Sequence, residues 1–474
     1  MGTKVIIVLN DNGMAISPSV GALSKSLRLV RIDPRYELAK EEAKSIVTRL
    51  PLGEPAWALS KEFKNRLKRA LIPGAFWERM GFVYIGPVDG HNIREVEAAL
   101  GRARDYETKP TFVHILTKKG KGHPMAEADA VKFHGVAPNG HNGSKSTASA
   151  PSYSEIFGRT TLRLMRENER VVAISAAMLE GTGLADAARK LPKRVFDVGI
   201  CEQHAVTLAA GMATQGFIPI VAIYSTFLQR AFDQIVHDVC VQELPVVFAI
   251  DRAGIVGDDG KTHQGAFDIS YLSCIPNMVV AAPKDEDELQ HLLYTATQAG
   301  RPMAVRYPRG SGRGVPLSPE LKDIPLGKGE VLREGRDICI LALGPAVYAA
   351  LDAARQLAQE GIECAVVNAR FAKPLDSELI LEQASHTGRV VTVEENALDG
   401  GFGSAVLQLL NSSEVAGMKT ECIGLPDNFI EHGPQELFRS VFDLDAEGIA
   451  RRIRSRFPEL APRIALKQQK GVNA

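Results

Sequence analysis

Short apolar runs rich in valine and isoleucine alternate with amphipathic helical segments along almost the whole chain. Runs of this kind are typical of strands buried on both faces, and their alternation with helices predicts parallel sheets covered by helices. One stretch has neither pattern: residues 126–151 are rich in Gly, Ser, Pro and Lys and predict a linker between domains. The sequence therefore predicts an α/β fold with mostly parallel sheets.

The pattern divides the chain into three domains. The first, residues 1–125, contains the runs VIIVLN, FVYIG and FVHILT and a helical stretch near Glu37–Leu50. The second, residues 152–314, contains VVAIS, VFDVGI, IPIVAIY, VVFAID, MVVAA and MAVRY. The third, residues 327–474, contains ICILALG, CAVVNAR, RVVTVEE and TECIGLP, and ends in the helix AEGIARRIRSRF.

The composition excludes several classes of protein. The 474 residues include 56 Lys plus Arg and 56 Asp plus Glu, so no net field attracts nucleic acid or an anionic membrane. No run approaches the roughly 18 apolar residues of a membrane span, and the N-terminus lacks the regions of a signal peptide. The six cysteines form no CxxC pair, which fits a reducing cytoplasm.

Polar side chains follow the first apolar run. Asn10, Asp11 and Asn12 come directly after or at the end of VIIVLN and offer hard oxygen ligands of the kind that metal ions bind. Such a site needs further ligands from a second strand, which would ordinarily come earlier in the chain. The run alone leaves open whether these residues form half a metal site or no site.

A carboxyl group lies at the centre of the densest motif. The strand VFDVGI is predicted to end at Glu202, where a helix with small residues follows at once. A carboxyl there is poorly solvated and can donate or share a proton with a ring nitrogen. Taken alone, Glu202 is better explained as a glutamate stabilised by a helix N-terminus.

Two arginines and a polar loop follow other strands. Arg252 and Arg309 come just after VVFAID and MAVRY, and strand ends of this kind face the ligand crevice in open parallel sheets. Two guanidinium groups there suit a phosphate dianion. Asp259 and His263 lie in GDDGKTHQG, a loop too polar for a core, where an imidazole can move protons near neutral pH.

The stretch FDVGICEQHAVTLAAGMATQGFIPIVAIYSTFLQRAFDQIVHDV resembles the pyrimidine-binding domain of transketolase-type thiamine diphosphate enzymes. Further segments are most similar to the 1-deoxy-D-xylulose-5-phosphate synthase family, and the resemblance covers essentially the whole chain. They are YIGPVDGH, TKKGKGH, PSYSEIFG, YSTFLQRAFDQ, DRAGIVGDDGKTHQGAFD, AVRYPRG and VTVEENALDGGFGS. Motifs this long are far more specific than a lone glycine signature.

The resemblance implies a transketolase-like thiamine diphosphate-binding fold and gives roles around that cofactor. Glu202 matches the glutamate that hydrogen-bonds N1′ of the aminopyrimidine. Ile200 matches the apolar residue that supports the bent cofactor, although plain strand core explains it equally. Phe227 matches the aromatic residue on the pyrimidine ring, and a core position explains it equally. His134 matches a position near the diphosphate. Lys119 could approach it too, although a solvated basic loop is the simpler interpretation.

The resemblance also implies the substrate site. Arg252 and Arg309 match the residues that bind the phosphate of glyceraldehyde 3-phosphate, and Tyr224 and Arg230 match residues lining the same pocket. Asp259 and His263 would position the acceptor aldehyde. His204, beside Glu202, is expected to act only through its neighbours, and EENALDGGFG is expected to be a structural turn.

For the metal, the resemblance implies that Asn12 and the backbone carbonyl of Met14 ligate Mg²⁺. The matching carboxylate ligand of the family lies in a Gly-Asp-Gly segment some tens of residues earlier, and LNDNGM looks like the second half of that motif. The expectation is therefore a family member lacking much of its first domain. Such a chain is expected to be poorly soluble or protease-sensitive before about residue 150, and to bind thiamine diphosphate and Mg²⁺ weakly.

The implied reaction joins pyruvate, with loss of CO₂, to glyceraldehyde 3-phosphate and gives 1-deoxy-D-xylulose 5-phosphate for non-mevalonate isoprenoid and thiamine biosynthesis. A homodimer is implied as well. Transketolase and a ketoacid dehydrogenase β-subunit are alternatives, against which DRAGIVGDDGKTHQGAFD and YIGPVDGH argue. A catalytically impaired fragment that binds ligand or dimerises is a third alternative.

Overall fold

The computed structural model describes residues 4–14, 16, 19–22, 24, 74–134, 150–413 and 417–460. The chain forms two compact units, Met1–Lys145 and Ser146–Ala474. The helical stretch predicted near Glu37–Leu50 lies outside the described residues. The predicted linker is described only in part, and that part contains a short helix and a 3₁₀ turn, Lys132–His134.

The described residues of the first unit form a parallel sheet of three strands in the order β1-β3-β2. Its described elements are β1 Ile6–Asp11, α1 Gly74–Arg79, β2 Val83–Asp89, α2 Ile93–Asp105, β3 Thr111–Leu116 and α3 Pro124–Ala128. The central strand is the most buried, as the run FVHILT predicts. Strand β1 pairs only with β3 among the described residues, and the side chains of Ile6, Ile7 and Val8 are 39%, 38% and 48% exposed.

Residues 150–413 and 417–460 of the second unit form two sheets. Its strands are β4 Val171–Ser175, β5 Val195–Asp197, β6 Ile218–Tyr224, β7 Val247–Asp251, β8 Val279–Ala281, β9 Met303–Arg306, β10 Glu330–Arg333, β11 Ile338–Ala342, β12 Cys364–Asn368, β13 Phe371–Lys373, β14 Arg389–Ala397 and β15 Lys419–Leu425. Seven form the order β13-β8-β9-β7-β6-β4-β5, and five form the order β10-β12-β11-β14-β15. Most pairs are parallel, which confirms the predicted fold class.

Helices cover both sheets. They are α4 Tyr153–Glu167, α5 Ala185–Lys190, α6 Glu202–Ala213, α7 Ser225–Leu228, α8 Phe232–Gln234, α9 Asp268–Ser273, α10 Glu286–Gln298, α11 Ala346–Gln359, α12 Ser377–Thr387, α13 Phe402–Ser412, α14 Gln435–Val441 and α15 Ala446–Arg456. A π-helix, Ile235–Cys240, follows α8. No helix of the described ranges combines the length and the apolar character needed to cross a bilayer.

One strand crosses between the two halves of this unit. Strand β13 follows β12 of the five-stranded sheet in the chain, yet it pairs antiparallel with β8 at the edge of the seven-stranded sheet. One apolar cluster accordingly contains buried side chains from both sheets, including Val280 beside β13 and Leu341 of β11. The two sheets therefore share a core.

The strand predicted to end at Glu202 is shorter than expected. Strand β5 ends at Asp197, whose Oδ1 accepts hydrogen bonds from the N–H groups of Ala177 and Gly199, each at 2.9 Å. Gly199 has a φ of 74°, a left-handed conformation that glycine adopts without steric cost. The chain therefore turns before Ile200, and Glu202 begins a helix instead of closing a strand.

Glu394, in the segment expected to form a structural turn, lies in β14, and its fully buried carboxyl group faces the start of a helix. Its two carboxyl oxygens accept the N–H groups of Phe402 and Gly403 at 2.8 and 2.7 Å, in the first turn of α13. Burial raises the pKa of Glu394 from 4.5 to about 7, although these two hydrogen bonds oppose the shift. Between about pH 4.5 and 7 the folded chain therefore holds a proton at Glu394 that the unfolded chain has lost.

This raised pKa predicts a loss of stability with rising pH. Between about pH 4.5 and 7 the folded state binds more protons at Glu394 than the unfolded state, so the free energy of unfolding falls by up to about 3 kcal/mol. Urea unfolding at pH 5 and pH 8 measures the difference. We expect Glu394→Gln to reduce this pH dependence and the exposed control Glu382→Gln to keep it. An unchanged dependence in Glu394→Gln would contradict the assignment.

Candidate active site

Glu202 is the first residue of α6 and is only 3% exposed. Its Oε1 accepts a hydrogen bond from Nη1 of Arg230 at 3.2 Å. The arginine side chain is itself half-exposed, so it joins the buried carboxylate to the protein surface. Glu202 therefore places a buried carboxyl group at a helix N-terminus, with Arg230 as its ion-pair partner.

The interpretation of Ile200 as plain strand core is wrong. Ile200 lies in the turn between β5 and α6 and is 56% exposed, so it is not strand core. A large apolar side chain this exposed, two residues before a buried carboxylate, provides an apolar surface beside the acid. That arrangement suits contact with a ligand.

Aromatic side chains lie next to Arg230. The ring of Phe227 stacks on Tyr224 with 5.8 Å between ring centroids and meets the edge of His263 at 5.4 Å. The Arg230 guanidinium carbon lies 5.2 Å from the centroid of the Phe227 ring. Phe227 thus connects the Glu202–Arg230 pair to the predicted substrate residues Tyr224 and His263.

Arg252 is held by three groups that sequence analysis did not identify. It follows β7 in a left-handed conformation, with φ 60°, which is uncommon for a residue other than glycine. Its Nη1 donates to Ser154 Oγ and to the Gly181 carbonyl, both at 2.8 Å, and lies 2.8 Å from Asp251 Oδ1. The motif PSYSEIFG contains Ser154, but nothing in the motif indicates a partner 98 residues away.

Tyr224 lies under Arg252. The Arg252 guanidinium carbon is 4.2 Å from the centroid of the Tyr224 ring, a cation–π distance. Burial raises the pKa of Tyr224 to about 12. Its hydroxyl is therefore protonated at neutral pH and can donate a hydrogen bond.

Arg309 reaches the loop that carries Asp259 and His263. Its Nη1 donates to the Val256 carbonyl at 3.1 Å and lies 3.5 Å from Asp258 Oδ2 and 3.8 Å from Asp259 Oδ2. Both carboxylates are at least half-exposed, so these surface contacts are weak and can exchange for a stronger anion.

The loop itself is fixed at both ends. Gly254 and Gly265 exchange backbone hydrogen bonds of 2.8 Å, which close the loop at its base. The Thr226 hydroxyl donates to the Thr262 carbonyl at 3.0 Å, which joins the loop to the helix that carries Phe227. The structure therefore brings the predicted residues 224, 227, 230, 252, 259, 263 and 309 to one region around Glu202.

His204 lies apart from this cluster. It is exposed on α6 and lines a surface groove with Thr207, Leu208 and Phe217. A separate cavity of 730 Å³ opens beside α4 and α5 and is lined mainly by charged side chains, including Arg159 and Arg163. Its lining includes Ser154 but none of the predicted catalytic residues, so cavity size alone does not locate the site.

In the first unit, Asn12 and Met14 form a tight turn after β1. Asn12 Oδ1 accepts the N–H group of Met14 at 2.9 Å. Both carboxyl oxygens of Asp11 contact other residues of the chain. Oδ1 accepts the N–H group of Gly13 at 2.9 Å, and Oδ2 lies 3.2 Å from Nε2 of the buried His114. No group of three His, Cys, Asp or Glu side chains that could hold a metal occurs among the described residues.

His134 and Lys119 are neighbours. Lys119 Nζ lies 3.0 Å from His134 Nδ1; His134 is exposed and Lys119 is partly buried. Partial burial and the lysine charge lower the pKa of His134, so the imidazole is more readily neutral. The pair is a basic surface element of the first unit.

Comparison with known protein families places these features in context. Residues 1–117 match the family model described as 1-deoxy-D-xylulose-5-phosphate synthase. Residues 149–314 match the transketolase pyrimidine-binding domain, and residues 327–449 match the transketolase C-terminal domain. The fold and the site thus define a transketolase-type enzyme, a class that depends on thiamine diphosphate.

Individual relatives narrow the class. The chain is 57% identical to a 1-deoxy-D-xylulose-5-phosphate synthase of Dehalococcoides mccartyi, over 96% of this chain and 71% of that protein. It is 53% identical to one of Pelotomaculum thermopropionicum, over 96% of this chain and 72% of that protein. A solved structure described as a split gene transketolase, inactive β4 tetramer, aligns with a TM-score of 0.59 and 32% identity, over 65% of this chain and 99% of that chain.

The chain belongs to the 1-deoxy-D-xylulose-5-phosphate synthase family. The match to the synthase family model and to these relatives argues against the two enzyme alternatives that the sequence left open, transketolase itself and a ketoacid dehydrogenase β-subunit.

Proposed function

We propose that the chain catalyses the thiamine diphosphate-dependent joining of pyruvate and glyceraldehyde 3-phosphate. In this reaction the bond between C1 and C2 of pyruvate breaks and CO₂ leaves. A new carbon–carbon bond forms between pyruvate C2 and the aldehyde carbon, and one proton is taken up on the aldehyde oxygen. The observation that carries the proposal is the continuous set of contacts from the buried Glu202 through Arg230 and Phe227 to Tyr224, Arg252 and His263.

The residues around Glu202 fit the aminopyrimidine ring of the cofactor. A flat ring with polar edges needs apolar groups on its faces and an acceptor at its edge, and the exposed Ile200, the ring of Phe227 and the Glu202 carboxylate offer these groups. When bound, thiamine diphosphate supplies the electron sink for decarboxylating a 2-keto acid. In the proposed mechanism Glu202 holds and exchanges a proton at N1′ of that ring.

The substrate phosphate would be bound by arginine. Apart from its hydrogen bond to the Val256 carbonyl, Arg309 has only weak carboxylate contacts, which a phosphate dianion can replace at little cost. Arg252 is more strongly engaged, and its fixed position would place one charged face toward the phosphate. The Tyr224 hydroxyl would donate a hydrogen bond in the same pocket.

Asp259 and His263 would act at the aldehyde. As its oxygen gains negative charge during bond formation, a nearby imidazole can donate the proton that the product keeps. The contact of His263 with Phe227 places this imidazole beside the ring assigned to the cofactor. Asp259, on the same loop, would orient the hydroxyl of the substrate.

Mg²⁺ would be held by Asn12 and Met14. Both offer neutral oxygens, which fit the preference of Mg²⁺ for hard ligands but add no negative charge. The described part of the first unit would therefore retain the metal chiefly through the diphosphate. His134 and Lys119 are basic groups that would approach the same diphosphate.

A homodimer is part of the proposal. Apolar side chains near α6 and the π-helix are exposed in the single chain, among them Val241 at 70% and Phe217. Burial of such residues between two copies is a common basis of dimerisation. Sedimentation of the purified chain tests it directly.

The proposed activity is tested by a product assay. The purified chain is incubated with pyruvate, glyceraldehyde 3-phosphate, thiamine diphosphate and Mg²⁺, and 1-deoxy-D-xylulose 5-phosphate and CO₂ are quantified together. We expect equal amounts of both products and none when either cofactor is left out. Release of CO₂ without the sugar phosphate, or neither product, would contradict the proposed function.

A further inference from the structure

A segment of the C-terminal domain lies across the loop that carries Asp259 and His263. Residues 431–435, with the sequence EHGPQ, immediately precede and begin α14. The N–H group of Gly433 donates to the Gly257 carbonyl at 3.3 Å, and Gln264 Nε2 donates to the Glu431 carbonyl at 3.2 Å. Lys261 forms an ion pair of 2.6 Å with Glu431.

Gly257 makes this close approach possible. A Cβ atom at that position would lie 2.6 Å from the Gly433 carbonyl oxygen, closer than real side chains come. The residue also has a φ of 91°, which favours glycine. The loop and the segment are therefore fitted to each other at the level of the backbone.

Gln435 connects the loop that carries Asp259 and His263 to the backbone of Arg309. Its Nε2 donates to the Ile255 carbonyl at 2.5 Å and to the Arg309 carbonyl at 3.4 Å. One side-chain amide thus donates hydrogen bonds to two places: the start of that loop and the backbone of Arg309.

Helix α14 also acts on the N–H group of Ile255, through an ion pair between Arg439 and Glu395. Arg439 Nε lies 2.6 Å from Glu395 Oε1, and Glu395 Oε2 accepts the N–H group of Ile255 at 3.1 Å. Ile255 is therefore fixed through its carbonyl by Gln435 and through its N–H by Glu395. Within the part of the chain that the structure describes, the two hydrogen bonds of Gln435 Nε2 go to the Ile255 and Arg309 carbonyls and not to Glu202, Arg230 or Phe227.

We propose that Gln435 is a positioning residue for the acceptor substrate, which sets the distance between Arg309 and the loop bearing Asp259 and His263. The inference rests on the proposed function for the identity of the acceptor. Arg309 must reach the phosphate while Asp259 and His263 reach the aldehyde of the same small molecule. Arg309 and the loop must therefore keep a fixed separation. The C-terminal domain thereby takes part in recognising the acceptor.

The test compares Gln435→Ala with Gln242→Ala. Gln242 is a matched control because its Nε2 also donates to a backbone carbonyl, that of Asp238 at 2.8 Å, but outside the site. We expect Gln435→Ala to raise KM for glyceraldehyde 3-phosphate roughly tenfold and KM for pyruvate less than about twofold, since about two hydrogen bonds are lost. Gln435→Glu retains the size but cannot donate, so it should behave in the same way and replaces Gln435→Ala if that variant does not fold.

Amide hydrogen exchange gives a second measurement that needs no turnover. Peptides covering residues 255–265 should exchange faster in Gln435→Ala than in the unchanged chain, and Gln242→Ala should leave them as they are. Equal increases in the two KM values, or unchanged exchange in this loop, would overturn the proposal. If the unchanged chain turns over neither substrate, the proposed function fails, and the exchange measurement then decides the positioning role by itself.

Discussion

Glu202→Gln is expected to abolish most of the synthase turnover while the chain still folds. The amide can accept a hydrogen bond from Arg230 as the carboxylate does, so the local structure should persist. It cannot hold and exchange the proton at N1′ of the cofactor ring. Loss of a general acid–base group of this kind costs about 10²–10⁴ in rate.

The measurement is kcat in the product assay, with thermal unfolding recorded on the same samples. Glu378→Gln is the matched control, because Glu378 also lies in the first turn of a helix but is 86% exposed. It should keep the rate of the unchanged chain. A Glu202→Gln chain that binds thiamine diphosphate and turns over at a comparable rate would contradict the role of Glu202.

Arg309→Ala should raise KM for glyceraldehyde 3-phosphate by about 10- to 150-fold and leave KM for pyruvate nearly unchanged. This range corresponds to the roughly 1.5–3 kcal/mol of a charge-assisted contact. The backbone carbonyl of Arg309, which Gln435 binds, is retained in the variant. Steady-state kinetics with each substrate varied in turn measures the two constants.

Arg252→Ala should show the same selectivity together with a loss of stability. Its removal leaves the fully buried Asp251 without its cationic neighbour, which is costly in a protein interior. Arg355→Ala is the control, since Arg355 is 68% exposed and pairs only with Asp352 among the contacts that the structure gives for it. If the arginine variants in the site raise both KM values equally, the arginines are structural.

The fold could be predicted where burial leaves a clear pattern. Strands such as β6 and β11 are buried on both faces, so their sequences, IPIVAIY and ICILA, are continuously apolar. Strand β13 could not be predicted, because it has three residues and pairs with β8 of the seven-stranded sheet, whereas the strand before it in the chain, β12, belongs to the five-stranded sheet. The predicted end of the strand before Glu202 was wrong. The run VFDVGI is apolar enough for a strand throughout, whereas the turn depends on a hydrogen bond from the distant Ala177 N–H group to Asp197.

The residue types of the site could be predicted from strand ends and from family resemblance, but their partners could not. The bond between Arg230 and Glu202 joins residues 28 apart, and that between Arg252 and Ser154 joins residues 98 apart. Such pairs are chosen by tertiary packing and leave no periodic signal in the sequence. Gln435 is a further case, because an isolated glutamine at a helix start is ordinary in sequence and acquires meaning only from the two carbonyls it reaches.

The shared strand β13 limits how the enzyme can move. Its residues Phe371 and Lys373 pair with Ala281 and Val280, and Lys373 Nζ also donates to the Ser273 and Ile275 carbonyls. To swing the C-terminal domain away from the pyrimidine-binding domain, the protein would have to detach a strand from a sheet and open a common core. We therefore expect the two domains to move as one body, so that exchange of the substrate proposed to bind at Tyr224 and Arg309 would depend on loop motion instead of hinge opening between them.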